Sequence, residues 1–130
     1  MGLFDFFGKK TETTLKEEKT LPWLRLTQVE QLDEIIERSK TLPVAIFKHS
    51  TMCGISRMVL RNFERDHAIE PEKLKLYYLD LLAFREVSNE VGYRFQVIHQ
   101  SPQLLVIKNG VAVYHASHHS IQASDLERYL

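Results

Sequence analysis

Cys53 is the single cysteine in the 130 residues, and it lies in the run Ala45-Ile46-Phe47-Lys48-His49-Ser50-Thr51-Met52-Cys53-Gly54-Ile55-Ser56-Arg57. Upstream, Val44 to Phe47 is a short apolar run of strand formers. Downstream, Met58, Val59, Leu60, Phe63 and His67 recur at the spacing of a helix face. A strand that enters a loop and then a helix puts the thiol at the helix start. There the unpaired N–H groups and partial positive charge of the first turn favour a thiolate over a thiol. Lys48, His49 and Arg57 lie close in sequence and add positive potential. A lone cysteine is ordinarily core filler, but Ser50, Thr51, Gly54 and Ser56 are small and polar, which suits a loop open to solvent. The chemistry expected is that of a nucleophilic thiol.

The six histidines are the other candidates. His115, His118 and His119 cluster, and His99 precedes Pro102, which raises the question of a metal. A strand ending at Ala116 turns His115 away from its neighbours, and no cysteine or carboxylate accompanies the group. No metal site is expected.

Seventeen basic and seventeen acidic residues give zero formal charge, so no global field draws nucleic acid or an anionic membrane, and neither is an expected partner. One cysteine excludes an internal disulfide, and no apolar run approaches the roughly 20 residues of a membrane helix. The run Leu3 to Phe7 is broken by Asp5 and too short for a secretory core, so a reducing, cytoplasmic setting is expected.

The elements that must position the thiol follow in order. Residues 1–20 read as a mobile N-terminal extension, in which Leu3, Phe4, Phe6 and Phe7 precede a charged stretch; membrane anchoring through it is not expected. Residues 21–130 read as one domain. Leu21 to Leu26 is an edge-type strand, and Thr27 with Glu30 makes a capping box for a helix carrying Val29, Leu32, Ile35 and Ile36. After the strand at 44–48 and a helix over about 55–67, Leu74 to Leu82 reads as a buried parallel strand. Phe84, Val87 and Val91 then mark a helix stopped by Gly92. Asn109-Gly110 joins the strands 103–108 and 111–116 as a hairpin, and 124–130 is helical, with Leu126 and Leu130 facing the sheet. Alternating units followed by a hairpin predict an α/β fold whose mixed sheet, parallel first and antiparallel last, is flanked by helices on both faces.

This order, a cysteine at the start of the helix after an early strand, and Ser101-Pro102 before the hairpin resemble the thioredoxin fold. The resemblance implies a cis Pro102 that faces the thiol. Phe47-Lys48-His49-Ser50-Thr51-Met52-Cys53-Gly54-Ile55-Ser56, Ser101-Pro102-Gln103 and Ala116-Ser117-His118 are similar, within that superfamily, to the monothiol bacilliredoxin family. Gly54 stands where the family pattern has proline, which bears on helix-start geometry and redox poise. The resemblance implies a thiol-disulfide oxidoreductase that acts on S-thiolated proteins, with bacillithiol or a related low-molecular-weight thiol as co-substrate and no bound cofactor. Cys53 is then the nucleophile. Lys48, His49, Thr51, Gly54 and Ser56 support it, and Ser101, Pro102 and His118 bind substrate. Ser56 stands three residues after Cys53, where a dithiol enzyme keeps its resolving cysteine, so a second small thiol or another redox protein must regenerate the enzyme.

Two other readings use the same residues. Cys53-Gly54-Ile55-Ser56 is close to the Cys-Gly-Phe-Ser of monothiol glutaredoxins, which share an iron-sulfur cluster between subunits. A binding module without turnover would dock partners along the groove beside Pro102.

Overall fold

The computed structural model describes residues 21–130; the expectation for Met1 to Thr20 lies outside the described residues. The sheet has five strands: β1 (Leu24–Arg25), β2 (Val44–His49), β3 (Lys75–Asp80), β4 (Gln103–Lys108) and β5 (Val111–Ser117). Their spatial order is β1-β3-β2-β4-β5. The pairs β1/β3 and β2/β3 are parallel, while β2/β4 and β4/β5 are antiparallel. All six residues of β2 are buried, as the central position requires, since both faces of that strand are covered. The mixed sheet predicted from the sequence is thus the one found.

Three α-helices cover it: α1 (Gln31–Arg38), α2 (Gly54–Asp66) and α3 (Arg85–Phe95). Side chains alternate across a strand, so β2 feeds two separate cores. Val44 and Ile46 pack with Leu32 and Ile35 of α1 and with Val87, Val91 and Phe95 of α3. Ala45 and Phe47 pack on the other face with Val59 and Phe63 of α2. Trp23 closes this second core, stacked on Phe63 at 5.9 Å and edge-on to Phe47 at 6.1 Å, with its indole N–H donating to Glu64 at 2.9 Å. Each fully buried large apolar side chain contributes about 1.5–3 kcal/mol. The two layers therefore hold the sheet from both sides.

Local details differ from the sequence expectations at three places. The capping box of Thr27 and Glu30 does not form. Gln31 takes its place, its Oε1 accepting the N–H groups of Thr27 at 2.7 Å and Gln28 at 3.0 Å while its Nε2 donates to the Arg25 carbonyl at 2.9 Å. An amide can accept and donate at once, which a carboxylate cannot. Gly92 does not end α3. The helix runs on to Phe95 and closes at Gln96, whose φ of 58° is left-handed, with Val97 N–H bonded back to the Gly92 carbonyl. Gly92 is needed for that close approach, because a Cβ there would lie 3.0 Å from Val97 O. The C-terminal segment is a 3₁₀ helix over Ala123–Tyr129, preceded by a 3₁₀ turn at His118–Ser120. Three residues per turn separate the faces of positions four apart, so Leu126 is fully buried and Leu130 is 51% exposed. The hairpin is as predicted, with Asn109 at φ 52° and Gly110 at φ 79°.

Candidate active site

Strand register collects the site at one end of the sheet. His49 is opposite Asp80, Lys48 is opposite Gln103, and Gln103 is opposite Ser117. The chain leaving β2 toward Cys53, the chain entering β4 from Pro102 and the chain leaving β5 toward His118 therefore emerge side by side. The Ser101-Pro102 peptide is cis, and Pro102 O accepts the N–H of His118 at 3.0 Å. His118 itself adopts φ 57°.

Cys53 is the N-cap of α2, with φ −112° and ψ 123°. Its carbonyl accepts the Arg57 N–H at 3.0 Å and its own N–H donates to Ser50 O at 3.2 Å. The thiol is partly exposed, between Met52, which is 80% exposed, and Ile55. The extended N-cap leaves first-turn N–H groups of α2 without helix partners, and the Cys53 side chain makes no cap hydrogen bond to them. Arg57 reaches back over this turn, its Nη1 donating to the Thr51 carbonyl at 3.2 Å. Gly54 leaves room beneath it, since a Cβ there would lie 3.9 Å from Arg57 Nη2.

The remaining support residues divide between the two faces. His49 points to the α2 face, where its Nδ1 lies 2.8 Å from Ser56 Oγ, and the same oxygen accepts the Ser50 N–H at 3.1 Å. The Ser50 N–H takes one of the two lone pairs of this oxygen, and the direction of its bond to Nδ1 follows the imidazole tautomer. Burial chiefly pushes His49 below the usual imidazole range; the carboxylate of Asp80 opposes this, and the cation of Arg57 reinforces it. Ser56 is fully buried, and its hydroxyl is committed to this network. Among the described residues neither Thr51 nor Ser56 is hydrogen-bonded to the sulfur.

Lys48 points to the opposite face, toward α1 and α3, and is fully buried. Its Nζ lies 2.9 Å from His99 Nδ1 and 3.3 Å from Gln103 Oε1. Burial pulls its pKa down to about 8. Sequence proximity to Cys53 suggested a cation beside the thiol, but the period-two alternation of β2 turns the side chain away from the face that carries His49 and α2. His99 and Gln103 are the neighbours that sequence reasoning missed. The available signals were His99 itself, read only as a metal candidate, and Gln103, which closes the Ser101-Pro102-Gln103 motif and opens the apolar run Leu104 to Ile107.

Among the described residues no group of three or more His, Cys, Asp or Glu side chains is placed to hold a metal ion, and no helix is long and apolar enough to cross a membrane.

A sheet of this order with a lone thiol capping α2 and a cis-proline loop beside it defines a thiol oxidoreductase of the thioredoxin class. Solved structures bear out the fold. A candidate oxidoreductase with a thioredoxin fold superposes with a TM-score of 0.69 at 27% identity, covering 82% of this chain and 91% of its own. Thioredoxin from Malassezia sympodialis superposes at 0.64 with 20% identity, over 85% of this chain and 89% of its own. That from Fasciola hepatica superposes at 0.61 with 19% identity, over 80% and 92%. Within the class, residues 24–126 match the family model described as Monothiol bacilliredoxin BrxC, and the chain belongs to that family.

Proposed function

We propose that this oxidoreductase removes a low-molecular-weight thiol, bacillithiol or a relative, from protein mixed disulfides through Cys53 alone. The observation that carries the reading is the pairing of a partly exposed thiol at the N-cap of α2 with a buried serine three residues later. A hydroxyl cannot form a disulfide, so the product of the first exchange has to be an intermolecular one. The Cys53 thiolate attacks the small-thiol sulfur of the mixed disulfide. That bond breaks, and the substrate protein leaves as a thiolate that takes a proton from solvent. Cys53 is left joined to the small thiol. A second small-thiol thiolate, or the thiolate of another redox protein, attacks the small-thiol sulfur and releases Cys53.

In this reading the small thiol is a co-substrate and S-thiolated proteins are the partners. The setting is the reducing cytoplasm, where a single catalytic thiol stays reduced. The backbone at Ser101 and cis-Pro102 receives the extended substrate chain, with His118 tied to it through the Pro102 carbonyl. Gly54 leaves the approach to Cys53 open beside the Arg57 guanidinium.

The test is the intact mass after incubation with oxidised bacillithiol and, separately, oxidised glutathione, with Cys53→Ser as control. The expected result is one small-thiol adduct on the wild type, discharged by free thiol and absent from the control. A folded wild type that forms no adduct with either disulfide overturns the reading, and the preferred disulfide identifies the co-substrate.

A further inference from the structure

The last two residues of β2 serve the two halves of the site from opposite faces of the sheet. His49 holds the first turn of α2 through Ser56. Lys48 holds the segment between α3 and β4. Its ammonium touches His99 near the start of that segment and Gln103 at its end, and Gln103 Nε2 donates at 3.0 Å to the Ile98 carbonyl. These contacts tie Ile98 and His99 to Gln103, and Ser101 and cis-Pro102 lie between the tied residues in the chain.

The chemistry of these contacts is specific to a cation. His99 Nδ1 faces the ammonium as an acceptor, so its ring is neutral; partial desolvation of the ring nitrogen in this otherwise exposed residue, then the charges of Lys48 and Arg85, hold it below the usual imidazole range. Gln103 Oε1 is the second acceptor, and among the described residues no carboxylate pairs with Lys48. A fully buried ammonium with only neutral partners is a costly choice for a core position that methionine would fill. What the lysine supplies and methionine cannot is the pair of hydrogen bonds to the loop.

We infer that Lys48 is a positioning residue for the Pro102 loop, holding the substrate-docking backbone through His99 and Gln103 from the face opposite the thiol. This rests on the exchange reading, in which that backbone receives the protein disulfide.

The experiment uses the full chain as wild type, Lys48→Met and His99→Ala, the last a substitution at an exposed residue that cuts the same link from the loop side. The substrate is a model protein carrying a mixed disulfide with the small thiol that gave the adduct. Three quantities are read: KM and kcat on that protein, the rate of Cys53 alkylation by iodoacetamide against pH, and amide hydrogen exchange over residues 98–103. The expected result is a rise in KM of about tenfold for Lys48→Met and less for His99→Ala. Exchange over 98–103 quickens, while kcat and the alkylation profile stay within about twofold of wild type. Unchanged KM and unchanged amide exchange in both variants overturn the inference, as does an alkylation profile displaced in both, which would make Lys48 a group acting on the thiol. Failure of the exchange reading is separate: it is the absence of a wild-type adduct, and amide exchange over 98–103 still decides whether Lys48 holds the loop.

Discussion

His49 Nδ1 lies 2.8 Å from Ser56 Oγ, and this contact joins the end of the central strand to the first turn of the helix that carries Cys53. Both residues are buried, and the Ser50 N–H depends on the same oxygen. Ser56→Ala therefore leaves two groups without their partner. The expected loss of stability is about 1–3 kcal/mol, measured by urea unfolding. A loss below the error of that measurement would show that the network is replaceable by water.

Ser56→Cys restores a second sulfur at the dithiol position. The expected product of oxidation by a small-molecule disulfide is then an internal disulfide between Cys53 and the introduced thiol, seen as the loss of two hydrogens in the intact mass. The mixed disulfide should be only transient. A persistent mixed disulfide in this variant would mean that the buried side chain cannot reach the thiol.

Gly54 opens α2, and proline is favoured at a first helical position. Cys53 already has the extended backbone that a residue before proline requires, and a Cβ at Gly54 meets only Arg57 at ordinary contact distance. Gly54→Pro is expected to stabilise the fold by about 0.5–1 kcal/mol, through the lost freedom of the unfolded chain. Destabilisation in urea would show that this turn relies on glycine.

Lys48 has a folded pKa of about 8 against 10.5 for an exposed lysine. Between those values the unfolded chain holds a proton that the folded chain lacks, so stability rises with pH across that window. Unfolding free energies of wild type and Lys48→Met, measured from about pH 7 to 10.5, should diverge in favour of wild type as pH rises. The full change is on the order of 3 kcal/mol. Parallel curves would mean that the ammonium is hydrated.

His49 is displaced in the same direction from the ordinary imidazole value of 6.5. Well above that value both states are neutral and its contribution is complete. As pH falls through it the unfolded chain takes up a proton first, and stability is lost. His49→Gln should flatten part of this acid limb in urea titrations, leaving the share that belongs to His99, which is displaced in the same direction. An unaltered limb would place the acid sensitivity elsewhere.

Much of this protein was determined by local signals in the chain. The apolar run of β2, the helix-face spacing after Cys53, Asn109-Gly110 and Ser101-Pro102 each act over a few residues, so the element order, the hairpin and the cap position of the thiol were legible. Helix ends were less so. Gly92 and Leu130 show why, since a close backbone approach and a 3₁₀ register depend on what packs against them. Tertiary structure alone decided the roles of Lys48 and His49. Alternation sends neighbouring strand residues to opposite faces, but only the strand order and the helices laid on each face determine which meets Ser56 and which meets His99 and Gln103. Those partners are 7, 51 and 55 residues away in the chain. Hydrogen bonds across the longer separations leave no periodic trace in sequence, because they depend on chain segments being brought together by the cores that bury them.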